Sequence, residues 1–401
     1  MRPFDQRRVL LGVTGGIASY KTVWLARLLT QAGAQVDVVL SRSAREFVGA
    51  VTFEAVTGRP VHTELVAAGH ALDHIKLARE AHAVVVAPAT ADFLARAAGG
   101  HADDLLTACL LATVAPVLIA PAMNDRMWAH GQTQRNVEHL RSLGYRLINP
   151  DEGALAVGEG SGPGRMPEPE TLLAHVGRLL EVHGSLSGRK VLVTAGPTRE
   201  PVDPVRFVSN RSSGRMGVAI AAAAWRRGAD VTLVAGPLDV PMPTGARVVS
   251  VETTGDMARA VTEALPDADA LVMAAAPADF RAAEPADAKI KKSSKPESIA
   301  LTPTVDILQE TRAHRKQGSV IVGFALETHD LIASAKGKLA AKGLDLVVAN
   351  SATEEGAGFG TETNKVTLID AAGTAEVLPL MSKSDVADAI LDRVERLLDG
   401  R

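Results

Sequence analysis

Val9-Leu-Leu-Gly-Val-Thr-Gly-Gly-Ile-Ala-Ser-Tyr-Lys21 passes from an apolar run through a glycine turn into helix-forming sequence. A strand that enters a helix through so short a turn is the opening of a βαβ unit. The same texture continues outward. Apolar, mostly β-branched runs predict strands at Val9–Val13, Val36–Leu40, Ala83–Ala87, Val117–Ala120 and Arg146–Ile148. Helical patterns lie between them at Ala18–Thr30, Ala91–Ala98 and Asn124–Leu143. Strands this continuously apolar imply a parallel sheet covered on both faces, a doubly wound α/β arrangement.

The texture then changes. Pro150 to Pro169 holds five Gly and four Pro, too many for a helix or a central strand. A helix is expected over Glu170–Val182, then a polar break at His183–Gly188. Alternation resumes with strands at Lys190–Thr194, Val231–Ala235, Ala270–Ala274, Val320–Gly323 and Asp345–Ala349. Lys365–Asp370 and Glu376–Leu378 flank Ala-Ala-Gly as a hairpin before a terminal helix. The chain therefore reads as two doubly wound, Rossmann-like α/β domains, residues 1–182 and 189–401, joined by a linker at 183–188.

Composition narrows the function. Across 401 residues, 43 Lys and Arg oppose 46 Asp and Glu, a net charge of −3, and aromatics are 3%. A nucleic-acid binder normally shows a basic face, and single-strand binders need stacking aromatics, so no nucleic acid is expected. One cysteine, Cys109, excludes an internal disulfide framework and a Cys-rich zinc site. Met1–Arg8 is too polar for a signal peptide. Leu105–Met123 is long enough to cross a bilayer, but Pro116 and Pro121 break it, Thr107 and Thr113 interrupt it, and Asp103 and Asp104 stand at its entrance. A buried helix followed by a buried strand fits it better, and the protein is expected to be soluble and cytoplasmic, without membrane partners.

The glycine turn at Gly12–Lys21 suits a phosphate, because glycines admit close backbone approach and the helix N-terminus offers free N–H groups. A tight βα connection is the plain alternative. Dinucleotide binding needs Gly-x-Gly-x-x-Gly and an acid ending the second strand, whereas that strand ends Leu40-Ser-Arg42. A mononucleotide phosphate is the better reading. His74, at a helix start, is either a surface or capping residue or a base near neutral pH. Asn124, after an apolar strand, either orients a substrate carboxylate or caps the next helix. Ala87–Phe93 and Ala274–Phe280 echo each other, each just beyond an apolar strand, where open α/β sheets bind ligands.

His74-Ile-Lys-Leu77, Ala87-Pro-Ala-Thr-Ala-Asp92, Pro121-Ala-Met-Asn124 and Gly162-Pro-Gly-Arg-Met166 occur in this order. Together they resemble the flavin-dependent, homo-oligomeric cysteine decarboxylases that act on phosphopantothenoylcysteine. The resemblance implies a flavodoxin-like FMN domain, with the FMN phosphate near Gly15, Gly16 and Ser19 and further cofactor contacts from Ser41, Thr90, Ala91 and Asp92. It implies His74 and Asn124 as catalytic residues at the substrate. A flap at 150–169 would carry Val157, Glu159, Ser161, Gly164, Arg165 and Met166 over the site. In the implied chemistry the thiol is oxidised first, so that the thioaldehyde can accept the electrons left by CO₂; the enethiolate is then reduced and protonated. Family flaps usually supply a cysteine as the last proton donor, and Val157 stands in that place. Cys109 lies in the apolar run Leu105–Leu111 and reads as a packed core thiol. Glu159, Ser161 or a water is the expected donor; the alternative is an active ligase half with an impaired or altered decarboxylase half.

In the second half, Thr194-Ala-Gly-Pro-Thr-Arg-Glu-Pro-Val-Asp-Pro-Val-Arg206 leads through Phe207–Gly217 into a helix expected at Val218–Arg227. Small hydroxyls, Gly214 and a helix start make an anion cradle. Lys289-Ile-Lys-Lys292 follows, and Lys338 and Lys342 share a helix face by their i,i+4 spacing. A solvated lysine face is the plain alternative to phosphate binding. From Lys190 onward the sequence resembles the bacterial, CTP-using phosphopantothenate–cysteine ligases, which activate the acid as an acyl-cytidylate before the cysteine amine attacks. The resemblance implies a ligase domain in which Asn210 steadies the acyl-cytidylate, Arg206 supports that segment, and Lys289 neutralises phosphate charge. It assigns Met273, Ala274, Ala275, Asp279, Asp306, Ile307, Phe324, Lys338 and Lys342 to CTP, with Mg²⁺ carried on the triphosphate and no certain protein ligand. Thr353–Gly360 reads as a flexible loop.

The order of the two halves resembles the bifunctional coenzyme A biosynthesis family, in which the ligase product is the decarboxylase substrate. The resemblance implies 4'-phosphopantothenate, cysteine and CTP as reactants. It also implies a homo-oligomer of trimeric FMN domains and dimeric ligase domains, up to a dodecamer, with FMN lying across subunits. Other flavin chemistry in the first half, or a purely regulatory nucleotide-binding protein, are the remaining alternatives.

Overall fold

The computed structural model describes residues 2–66, 69, 71–181, 184–291, 298–327, 331–351 and 360–401. The chain divides into two compact units, Met1–Val182 and His183–Arg401. The stretch Thr353–Gly360, apart from Gly360, lies outside the described residues, as do Lys292 and His183.

The first unit is built on a six-stranded parallel sheet. From edge to edge its strands are Val61–His62, Gln35–Leu40, Arg8–Val13, Ala83–Ala89, Val117–Pro121 and Arg146–Leu147. Apolar side chains fill both faces, as the unbroken apolar strands require: Val9, Leu11 and Val85 belong to one core, Leu10, Val84 and Val86 to the other. The run from Leu105 forms the helix Leu105–Ala112 and the strand Val117–Pro121. Asp104 caps that helix, its carboxylate accepting from the Thr107 N–H at 2.8 Å. No helix among the described residues is long and apolar enough to cross a membrane. The helix expected over Asn124–Leu143 is two helices, Asp125–Ala129 and Gly131–Ser142. His130 breaks it by turning extended and accepting from the Gln132 N–H through Nδ1 at 3.1 Å. The Gly/Pro-rich stretch forms an antiparallel hairpin of Asp151–Ala154 with Ser161–Arg165, followed by the helix Pro169–Leu180.

The second unit carries an eight-stranded sheet in the order Arg247–Ser250, Asp230–Ala235, Lys190–Ala195, Ala270–Met273, Val320–Glu327, Leu346–Ser351, Val366–Asp370 and Ala375–Val377. The first six run parallel; the last two complete an antiparallel edge, the expected hairpin. The helix expected at Val218–Arg227 spans Arg215–Arg226, so that Gly214 (φ +76°) becomes its N-cap. The expected linker packs on this unit: Leu186 is fully buried in its core and donates its N–H to the Arg227 carbonyl at 3.1 Å. The one apolar side chain in that polar break explains the docking.

Both sheets reverse strand order at the corresponding place, between the first strand of the unit and its neighbour Ala83–Ala89 or Ala270–Met273. At such a switch point the two following loops diverge and leave a crevice beyond the strand ends. Both cavities described next open there.

Candidate active sites

In the first unit, Thr14 ties together the two loops that flank the crevice. Its hydroxyl donates to the Pro88 carbonyl at 2.7 Å and accepts from the Thr90 N–H at 3.1 Å. Gly15 allows the turn to close, since a Cβ there would stand 2.3 Å from that of Ser43. The turn delivers Gly16 to the N-terminus of the helix Ser19–Gln31, which has no side-chain cap. Ser19 is buried, and its hydroxyl faces the Gly16 and Thr14 carbonyls at 2.6 and 3.0 Å, fixing the turn from behind. Thr90 caps the helix Ala91–Ala98 through the Phe93 N–H at 3.3 Å.

The far wall comes from the loop after Val117–Pro121 and from the hairpin. The Met123 N–H donates to the Gly164 carbonyl at 3.0 Å. Lys21 reaches across to the Met166 carbonyl at 3.2 Å and Glu168 at 2.7 Å, holding the end of the hairpin. The result is a cavity of about 550 Å³, within the range of small-molecule sites. Gly15, Gly16, Thr90, Ala91, Asn124, Glu159, Gly164, Arg165 and Met166 line it together. Asn124 is both things its sequence allowed: Oδ1 caps the next helix by accepting from the Arg126 N–H at 2.9 Å, while the residue lines the cavity.

Other expected residues lie elsewhere in the chain. Ser41 accepts from the Ala44 N–H at 3.2 Å, and Asp92 is exposed beside the cavity-lining Ala91; neither lines the cavity. Val157 is fully exposed at the hairpin tip, and Ser161 is exposed outside the lining. His74 begins the helix Asp73–Glu80 outside it, its Nδ1 buried without a hydrogen-bond partner. Cys109 is buried in the core, and burial pushes its thiol up to about 12. Sequence reasoning passed over the apolar wall of Ile17, Met123, Met127 and Leu155, and over Tyr20 and Lys21. Their nearness to the quoted motifs was the available signal. An uncapped helix start behind two glycines, an apolar wall and two cations, Lys21 and Arg165, fit a flavin mononucleotide: phosphate at one end, ring system at the other.

In the second unit, the loops after Lys190–Ala195 and Ala270–Met273 are clamped by Thr194 and Thr198. Their hydroxyls accept from the Ala275 and Ala278 N–H groups at 3.1 and 2.9 Å. Asn210 reaches the same loop, Nδ2 donating to the Pro277 carbonyl at 2.8 Å. A cavity of about 380 Å³ opens here, and Asn210, Ala274, Ala275, Asp279 and Phe324 all line it. Met273 lies behind it, buried, with the Thr194 hydroxyl 3.4 Å from its sulfur. Ser212, Ser213, Gly214, Arg215, Asn350, Asn364 and Lys383 complete the lining. The first four were legible in the cradle motif; the rest come from remote strand ends and the start of the last helix.

The expected cations are placed differently. Arg206 donates to Asp203 and, at 2.6 Å, to the Ile290 carbonyl; the Ile290 N–H returns to Asp203 at 3.0 Å. Arg206 and three backbone N–H groups hold the Asp203 carboxyl well below the usual carboxylate range. This knot fixes the backbone beside Lys289 outside the cavity lining. Lys342 pairs with Asp306 at 2.9 Å, Asp306 caps the short helix Ile307–Glu310, and Ile307 is buried. Lys338 shares the helix Leu331–Lys342, and none of these four lines the cavity. No group of metal-ligating side chains occurs among the described residues.

Two mononucleotide-sized cavities at matching switch points, the first of flavin-binding character, define a two-domain α/β flavoprotein. The family model described as Flavoprotein matches residues 2–181, and that of the DNA/pantothenate metabolism flavoprotein C-terminal domain matches residues 186–398. The chain is 47% identical to the coenzyme A biosynthesis bifunctional protein CoaBC of Mycobacterium tuberculosis, covering 98% of this chain and 97% of that protein. It is 44% identical to the protein of the same name from Bacillus subtilis, with 98% of each covered. A crystal structure of the C-terminal domain of a CoaBC protein is 37% identical, covers 54% of this chain and all of its own, and has a TM-score of 0.46. The chain belongs to the family of CoaBC coenzyme A biosynthesis bifunctional proteins.

Proposed function

We propose that the second unit joins cysteine to 4'-phosphopantothenate at the expense of CTP, and that the first unit decarboxylates the product with FMN. The observation that carries this reading is the pair of cavities, each lined by the residues its motifs single out: Gly15, Gly16 and Asn124 in one, Asn210, Ala275 and Asp279 in the other.

In the decarboxylase half, the uncapped start of Ser19–Gln31 receives the FMN phosphate and the apolar wall receives the ring. Bound FMN supplies the two-electron exchange with the substrate thiol. Asn124 orients the substrate carboxylate through Nδ2, which makes no hydrogen bond among the described residues. The hairpin from Asp151 to Arg165 excludes water from the cavity. Glu159, the only carboxylate lining the cavity among the described residues, holds the proton for the last step.

In the ligase half, Asn210 stands against the Ala276–Pro277 loop where the activated acyl group would lie, and Asp279 and Phe324 face the nucleotide. Arg206 acts through the knot that holds the Lys289 segment. Mg²⁺ arrives on the triphosphate, which needs few protein ligands. Because His74 and Lys289 lie outside the cavities of their own chain, the assembly, trimeric through the first units and dimeric through the second, brings the partner's His74 and the partner's Lys289 to them. The cytoplasm is the proposed place of action.

The test is end to end: 4'-phosphopantothenate, cysteine, CTP and Mg²⁺ in, with 4'-phosphopantetheine followed by mass. CMP release must require both phosphopantothenate and cysteine, and the purified protein must carry the oxidised-flavin absorbance. CMP release independent of cysteine, or product formed with the flavin removed, would overturn the assignment.

A further inference from the structure

Among the described residues, only two cations line the ligase cavity, Arg215 and Lys383, and neither is among the residues expected to bind CTP. Lys383 starts the last helix and is 8% exposed, its Nζ donating to the Thr361 carbonyl at 2.7 Å. Arg215 starts the helix Arg215–Arg226 and pairs through Nη1 with Glu362 at 2.5 Å, while its Nε is buried with no hydrogen-bond partner. Glu362 itself is largely exposed. Burial and the charge of Arg215 hold the Lys383 ammonium below the usual lysine range, with Glu362 opposing them. The trio Arg215, Lys383 and Glu362 leaves one net positive charge at the wall of a cavity that also presents Asn210 and the buried Asn364.

One net positive charge, half withdrawn from water, matches a monoanion. A phosphate carries nearly two negative charges and a triphosphate more. Of the ligase reactants, the monoanionic group still to be placed is the α-carboxylate of the amino acid. We infer that Arg215 and Lys383 bind the α-carboxylate of the incoming cysteine and so select an amino acid over a simple amine. The inference rests on the ligase reading above. With the carboxylate held, the cysteine nitrogen uses its lone pair to form the C–N bond at the acyl carbon, the acyl C–O bond breaks, CMP leaves with that electron pair, and the surplus amine proton passes to solvent. A carboxylate between the two cations also relieves their mutual repulsion, which is not available to cysteamine, the same thiol amine without the carboxylate.

The experiment uses the full-length protein and its Arg215→Met, Lys383→Met and Lys383→Arg variants. Pyrophosphate release from CTP and phosphopantothenate reads the activation step, and amide formation is compared with cysteine and with cysteamine. Removing one charge-assisted hydrogen bond should raise the KM for cysteine about tenfold or more in either Met variant. Activation, the KM for CTP and the rate with cysteamine should hold, and Lys383→Arg should recover part of the loss. If Lys383→Met fails to fold, the more exposed Arg215→Met carries the test. A raised KM for CTP or phosphopantothenate would assign the pair to a phosphate and overturn the inference, as would an unchanged KM for cysteine. Absence of pyrophosphate release in the unaltered protein would instead defeat the ligase reading itself.

Discussion

Gly164→Ala separates the two halves of this enzyme by a single methyl group. Gly164 lies on the return strand of the hairpin, and its carbonyl accepts the Met123 N–H at 3.0 Å. A Cβ at this position would stand 2.2 Å from the Met123 carbonyl oxygen, where real Cβ atoms stay beyond 3.0 Å. That oxygen belongs to the backbone next to Asn124 and cannot swing aside as a side chain can. The strand must therefore retreat by about 0.8 Å, which stretches the hydrogen bond to about 3.8 Å, beyond hydrogen-bond range. Overpacking of this kind costs about 1–3 kcal/mol, and the hydrogen bond that breaks is the one closing the hairpin over the cavity. At about 1.4 kcal/mol per tenfold, decarboxylation should fall roughly 5- to 100-fold, with lower flavin content. The ligase, in the other unit, should keep its rate. The assay follows flavin absorbance per chain, phosphopantetheine formed from supplied phosphopantothenoylcysteine, and pyrophosphate release, all on one preparation. Full flavin content with an unchanged decarboxylation rate would refute the reasoning, and so would an equal fall in both activities.

Three further outcomes are expected. Glu159 lines the decarboxylase cavity and Val157 and Ser161 do not, so Glu159→Gln should slow the final protonation on the order of 100-fold, accumulating the oxidised enethiol; unchanged product formation would remove Glu159 as donor. His175 is pushed down to about 4 by burial and by the charges of Arg178 and Arg146. The unfolded chain takes up that proton near pH 6.5 and the folded one does not, so stability is full above pH 6.5 and falls toward pH 4, by at most about 2 kcal/mol between pH 7 and pH 5. Urea unfolding of the protein and of His175→Gln should show this slope only in the former; equal slopes would reject it. Cys109, with its thiol pushed up to about 12, should resist a maleimide at pH 8 until denatured, and labelling of the native protein at the rate of a free thiol would contradict its burial.

The fold was legible in the sequence because a covered parallel sheet needs unbroken apolar strands, and few other structures do. Val9–Val13, Val117–Ala120 and Lys190–Thr194 declare themselves in this way, and the glycines at 15, 16 and 214 mark the turns that lead into helices at the two cavities. Local polar exceptions were less visible. His130 ends a helix through a side-chain hydrogen bond with Gln132 that composition does not advertise. Leu186 docks a segment whose neighbours are polar.

Residues that follow directly on a strand end were also determined by sequence, since the parallel sheet sends every such loop to the same edge. Gly15, Thr90, Asn124, Ala275 and Asp279 therefore reach their cavities. Tertiary structure alone decided the rest. It spent Arg206 on Asp203 and Lys342 on Asp306, cations that sequence reading left free for phosphates. It also carried Lys383, from the start of the last helix, to the side of Arg215. Charge in a sequence shows what can bind an anion; which charges are already neutralised depends on side chains that only folding brings within reach.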